Sequence, residues 1–217
     1  MGAGITHIVS YATAPWCGWM MLILLFCAVV SEFLQPGIIS QAHYALGQTN
    51  RIYRDAPVHF LGQVLIMLFR LGTIALAVYL AVHSGERFGF GSFALIVGWV
   101  IAVLIVKMGG TVLVDYTFQI SRRFSALYSQ YNDIATMTTC LLYPCLLFTL
   151  RLGNPTAHRA VLAVSVGLFI GLWTYRVVRS YMKSPAAILY IALYICTLEV
   201  LPIAALIYLS SITIASI

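Results

Sequence analysis

Residues 58–82 read "VHFLGQVLIMLFRLGTIALAVYLAV", twenty-five residues carrying a single formal charge, Arg70, near the middle. A bilayer core about 30 Å thick is crossed by roughly 20 mostly apolar residues in a helix. The stretch is therefore long enough to span, and too apolar for the surface helix of a soluble protein. The rest of the chain has the same character: 62% of its 217 residues are hydrophobic and 8% charged, where soluble domains average about 25% charged. The expected fold class is all-α, a polytopic membrane protein.

Working outward from that window, five others of suitable length and polarity appear: 16–34, 93–114, 134–150, 160–178 and 186–209. The expected architecture is a bundle of six transmembrane helices in one domain over residues 1–217, with short loops. The fourth window is short and contains Pro144, which cannot donate a helical hydrogen bond. The first has the position of a signal peptide, but no basic residue precedes it, its apolar run is too long and no small-residue cleavage site follows, so it is expected to stay as a helix. The two longest connections, 35–57 and 115–133, are expected to hold one or two interfacial helices. In the second, Ile120, Phe124, Leu127 and Tyr131 recur at helical spacing opposite Arg122, Arg123, Ser129 and Gln130.

The basic residues set an orientation. Arg51, Arg54, Arg122, Arg123, Arg176, Arg179 and Lys183 flank the ends after windows one, three and five, against Arg87, Arg151 and Arg159 on the other side. By the positive-inside rule both termini face away from the cytoplasm. The formal charge of +6 is then mainly a topology signal and an attraction to anionic headgroups. No nucleic-acid partner is expected, because no single soluble face gathers the basic groups.

Cys17, Cys27, Cys140, Cys145 and Cys196 all fall inside the windows without a CxxC pair, which reads as packing. The five histidines lie near window ends, His59 among them, so neither a metal site nor a haem cofactor is expected.

Charges inside the windows carry more information. Placing an ionised side chain near the bilayer centre costs about 2.5–3.5 kcal/mol on insertion scales, so such groups face protein or water. Glu199 is fourteenth of 24 residues in the last window and Arg70 thirteenth of 25 in the second. Both helices run the same way, which puts the two charges at nearly one depth and makes them a mid-membrane polar pair. At 100° per residue His59, Gln63, Arg70 and Thr73 fall within about 80°, a supporting polar stripe that belongs inside the bundle. Glu32, Lys107, Asp115, Asp133 and Arg176 form a ring of charges at the inner mouth. Asn132, Thr136, Cys140 and Tyr143 add a polar side to the fourth helix. Gly109 and Gly110, and the small-xxx-small pair Gly167 and Gly171, are expected to let backbones approach closely. Pro202, three residues after Glu199, is expected to kink the last helix beside that charge.

The carboxy-terminal third, "TYRVVRSYMKSPAAILYIALYICTLEVLP", resembles an uncharacterised bacterial integral-membrane family, a domain of unknown function. The resemblance rests on Cys196, Leu198, Glu199, Val200, Leu201 and Pro202, a Cys-x-Leu-Glu-x-Leu-Pro last helix, on Tyr175, Arg176 and Arg179, and on Lys107 in the third helix. It implies a six-helix protein of the bacterial inner membrane, often encoded near uroporphyrinogen synthase, with no established activity. Gene neighbourhood is association only.

Two functions follow from the charges. In the first, the bundle transports a small solute or ion, or couples to protons, through the Arg70 and Glu199 pair. In the second, the chain is an assembly or scaffold subunit whose buried charges only fix packing. The expected partners are the bilayer and a membrane protein or a second copy. A membrane enzyme stands behind both, because no paired carboxylates and no nucleophile with a base lie at a common depth.

Overall fold

In a computed structural model, residues 15–37, 60–82, 90–118, 121–152, 154–181 and 201–215 are described. They form six helices: α1 (Pro15–Leu34), α2 (Phe60–Val82), α3 (Phe90–Phe118), α4 (Ser121–Leu152), α5 (Pro155–Tyr181) and α6 (Leu201–Ala215). Five contain stretches long and apolar enough to cross a membrane, namely Trp16–Leu34, Phe60–Val82, Phe90–Gly110, Gln130–Arg151 and Thr156–Arg176. Helices of that length and composition indicate a multi-pass membrane protein. Large apolar side chains such as Trp19, Phe26, Phe33, Val106, Phe148 and Val164 are exposed, as a lipid solvent requires. The last expected window is described only from Leu201 onward.

Helix ends follow local chemistry. Pro15 opens α1, where a missing N–H is harmless. The helix stops at Pro36-Gly37, with Gly37 at φ 93°, a left-handed conformation that glycine adopts without Cβ strain. The Gly37 N–H then donates to the Glu32 carboxylate at 2.8 Å. At the start of α5, Asn154 accepts the Thr156 N–H on its side-chain oxygen at 2.9 Å, and its backbone carbonyl takes the N–H groups of Ala157 and His158. Pro155 follows at the first helical position.

α2 is the central helix. It packs against each of the other five, and its residues Ala75 to Ala81 are all buried. Small side chains make that possible. A Cβ on Gly72 would collide with Cδ2 of Leu24 on α1. The antiparallel register of α1 on α2 shows at three levels. Trp16 meets Tyr79 edge-on at 5.5 Å, Leu24 lies over Gly72, and Gln63 Nε2 donates to Gln35 Oε1 at 3.0 Å. α5 packs on α4 and α2, and α6 on α3 and α2.

The end near Trp16 is aromatic and hydrogen-bonded. Trp16, Tyr79, Phe90 and Phe93 form one ring cluster. Nearby in the fold, Arg159 Nε donates to the Ala81 carbonyl at 3.0 Å, and the buried His158 ring nitrogen Nδ1 lies 3.0 Å from Thr149 Oγ1. Ionic groups gather at the opposite end, hereafter the charged end.

Two expectations need correction. The connection 115–133 is not an independent interfacial helix: α3 continues to Phe118 and α4 begins at Ser121, running unbroken through Pro144 to Leu152. Polar residues end a hydropathy window without ending a helix, because backbone hydrogen bonds persist into the headgroup region. Likewise, Gly109, Gly167 and Gly171 have nothing within 4 Å of an added Cβ. Among the described residues, no helix packs closely on them.

Candidate functional site

Arg70 leaves α2 half-buried in mid-helix. Helical side chains tilt toward the N-terminus of their helix, and here that carries the guanidinium toward the charged end. Its Nη1 donates to the backbone carbonyl of Asn132 at 3.2 Å and to Asn132 Oδ1 at 3.0 Å. Asn132 is near the start of the span Gln130–Arg151, so the charge sits nearer the membrane boundary than its Cα does. The same Asn132 carbonyl accepts from Thr136 Oγ1 at 2.8 Å.

Asp133, the next residue, lies within electrostatic reach of both Arg70 and Arg176. Arg176 is buried at the end of the span Thr156–Arg176. Guanidiniums of α2 and α5 thus both act on one carboxyl of α4. Attraction of this kind strengthens as water is excluded.

Lys107 on α3 donates from Nζ to the Tyr131 hydroxyl. Its ammonium also lies 3.9 Å from the Tyr131 ring centroid and 5.9 Å from that of Phe169, in the range of cation–π attraction. Tyr131 in turn meets Phe169 and Trp173 edge-on at 5.3 and 5.2 Å. Ile134 and Trp173 form the buried core of this second cluster, with Leu172 packed against it.

The residues singled out from sequence are therefore distributed as follows. On α4, Arg70 reaches Asn132 and Lys107 reaches Tyr131, and Arg176 acts electrostatically on the adjoining Asp133. Glu32 caps the end of α1 through Gly37. Gln63 turns to Gln35 and joins α1 to α2. Thr73 is fully buried, and its Oγ1 has no hydrogen-bond partner among the described residues. Asp115 is carried by α3, with its side chain outside the described residues. His59 and Glu199 lie wholly outside them, so the Arg70 and Glu199 geometry is not described. Pro202 is second in α6 as described, and the geometry between it and Glu199 is likewise undescribed. Sequence reasoning missed Asn132 as the partner of Arg70, and missed Tyr131 and Trp173 as the aromatic hub. The available signals were the Tyr131-Asn132-Asp133 run before an apolar window and the Trp173, Arg176 spacing of one helical turn.

Four cysteines, Cys17, Cys27, Cys140 and Cys145, are free. Among the described residues no three His, Cys, Asp or Glu side chains converge in a way that would hold a metal ion.

A family model described as "Domain of unknown function (DUF4271)" matches residues 17–209. No curated protein and no solved structure matches the chain.

Proposed function

The chain belongs to the DUF4271 family, whose description assigns no activity, and from that premise we propose a role argued from the site alone: proton- or ion-coupled transport across the bilayer. The supporting observation is the position of Arg70, an intramembrane guanidinium held by the amide and carbonyl of a neighbouring helix with Asp133 close by. Charged residues inside spans are costly and mark ion or substrate paths by default.

In this reading Arg70 has two alternative sets of partners. One is Asn132 with Asp133 on α4. The other is Glu199, two residues before the described start of α6, a helix that packs on α2 and α3. Protonation or cation binding at Glu199 removes one half of an Arg70–Glu199 pair, and Arg70 then takes the α4 partners. Release restores the pair. In this reading the charged end faces the cytoplasm of a bacterial inner membrane and both termini lie outside, an orientation the basic flanks support.

The test is proton flux in vesicles reconstituted with the full chain and loaded with a pH-sensitive dye. Wild type is expected to dissipate an imposed pH gradient faster than protein-free vesicles. E199Q and R70Q are expected to return the rate to background while still melting cooperatively. A wild-type rate equal to that of empty vesicles overturns the proposal.

A scaffold role is favoured by a different observation. Arg70 to Asn132, Tyr143 Oη to the Met21 carbonyl at 2.8 Å, and Arg159 to Ala81 are each bonds between helices. A subunit whose charges serve packing alone would use them in the same way. It would show no flux in the same vesicles.

A further inference from the structure

Lys107 of α3 meets an aromatic hub at the charged end, and Arg176 of α5 stands one helical turn from Trp173 of that hub. Lys107 lies over the Tyr131 ring and donates to its hydroxyl. Trp173 meets the same ring edge-on at 5.2 Å. Arg176, 6% exposed, is one helical turn beyond Trp173 and shares its face of α5. Asp133 lies within electrostatic reach of Arg176 and of Arg70.

Depth narrows what this arrangement can recognise. Lys107, Tyr131 and Arg176 stand within three residues of the ends of Phe90–Gly110, Gln130–Arg151 and Thr156–Arg176. At about 1.5 Å per residue that is roughly 5 Å from the hydrocarbon boundary. Phospholipid phosphates lie at that level. By the positive-inside reading of the sequence, Arg122, Arg123, Arg179 and Lys183 belong to the same side of the membrane, and a basic side attracts anions.

The second observation is an orphaned donor. Trp173 is 2% exposed, and its indole Nε1–H is buried with no acceptor among the described residues. Buried donors without acceptors are rare and destabilising. An oxygen-bearing ligand answers that need, and the neighbouring ammonium and guanidinium select a negatively charged one.

We propose that Lys107, Trp173 and Arg176, framed by Tyr131, bind a phosphoryl oxyanion, supplied by an anionic phospholipid headgroup or by a free phosphate compound. Trp173 contributes one N–H, Arg176 a planar pair of donors and Lys107 a point charge. Binding is read without flux, so this site stands or falls independently of the transport reading.

Native mass spectrometry of the full chain in detergent tests it, with three probes: phosphatidylglycerol, phosphatidylcholine and inorganic phosphate. Wild type is expected to retain phosphatidylglycerol or inorganic phosphate at least about tenfold more tightly than phosphatidylcholine. Retention of phosphatidylglycerol assigns a lipid source, and retention of phosphate with no preference for phosphatidylglycerol assigns a soluble one. R176Q should abolish the preference and W173F should weaken it several-fold, whereas Y175F, a change to an exposed neighbour, should leave it intact. K107Q, at a partly exposed position, provides a second variant should R176Q fail to fold. Equal retention of all three probes by wild type, or a preference unchanged in both R176Q and K107Q, overturns the proposal.

Discussion

Arg70 on α2 donates to both the backbone carbonyl and the side-chain oxygen of Asn132 on α4, although 62 residues separate them in sequence. This fork turns a charge inside the bundle into a clamp between the central helix and a helix that bears three of the site's polar residues. Asn132 is suited to it, because an amide oxygen beside a main-chain carbonyl presents two acceptors to one guanidinium. It also leaves Asp133 available to act electrostatically on Arg70 and Arg176 together.

Replacing Asn132 by Ala removes one acceptor and leaves the carbonyl. Hydrogen bonds to charged groups contribute about 1.5–3 kcal/mol, and the N132A variant is expected to lose stability in that range in a detergent melt. In an R70Q background the same change should cost little. Full additivity of the two substitutions would show that the clamp does not contribute to stability.

Close packing of α1 on α2 gives a steric prediction. Gly72→Ala puts a methyl group against Leu24 Cδ2, and overpacking of this kind typically costs about 1–3 kcal/mol. Leu24→Ala in the same chain should recover part of the loss. Gly171→Ala meets open space, and the higher helix propensity of alanine is expected to stabilise by up to about 1 kcal/mol. Equal melting shifts for the two glycine variants would contradict the observed packing.

Much of the bundle can be read from apolar length alone, because a membrane solvent imposes a span of fixed thickness. Trp16–Leu34 has the same limits in sequence and structure, since Pro-Gly at 36–37 ends both the apolar run and the helix. Which helix is central is a different matter. The windows around α2 and α3 are similarly apolar, and only the packing shows that Gly72, Ala75, Ala77 and Ala81 admit neighbours while Gly98 and Gly109 face open space. Depth counted along a helix says less about where a long side chain ends. Counting residues locates the Cα, whereas a long side chain tilted toward its helix start delivers its charge to Asn132 near the boundary. Arg122 and Arg123 mark a surface segment in sequence, whereas the helix that contains them continues through Tyr131 into the bundle.

Tyr143 holds α4 to α1 through a bond from its hydroxyl to the Met21 carbonyl, 2.8 Å long and buried, while its ring packs on Phe69 at 5.7 Å. Tyr143→Phe keeps the ring and deletes the bond, so stability should fall by about 1 kcal/mol. The transport reading places the exchange of partners at Arg70 rather than here. Vesicle flux by Y143F should accordingly match wild type, and a loss of flux at unchanged stability would shift the functional path toward α1.

The remaining question is whether Arg70 also answers to Glu199, and a thermodynamic cycle decides it. Breaking a buried ion pair by removing one partner costs about 3–5 kcal/mol, because the other charge is left uncompensated. If the two residues pair, R70Q and E199Q each destabilise the fold, and the double variant recovers much of the loss by leaving no stranded charge. The coupling should then be on the order of 1–3 kcal/mol. The N132A cycle supplies the comparison, since Asn132 is a described partner at 3.0 Å. Coupling of Arg70 to Asn132 together with none to Glu199 would confine the arginine to α4 and remove the partner exchange on which transport depends. Coupling to both, with the E199Q term growing when Asn132 is absent, is the outcome expected of a guanidinium shared between two sites.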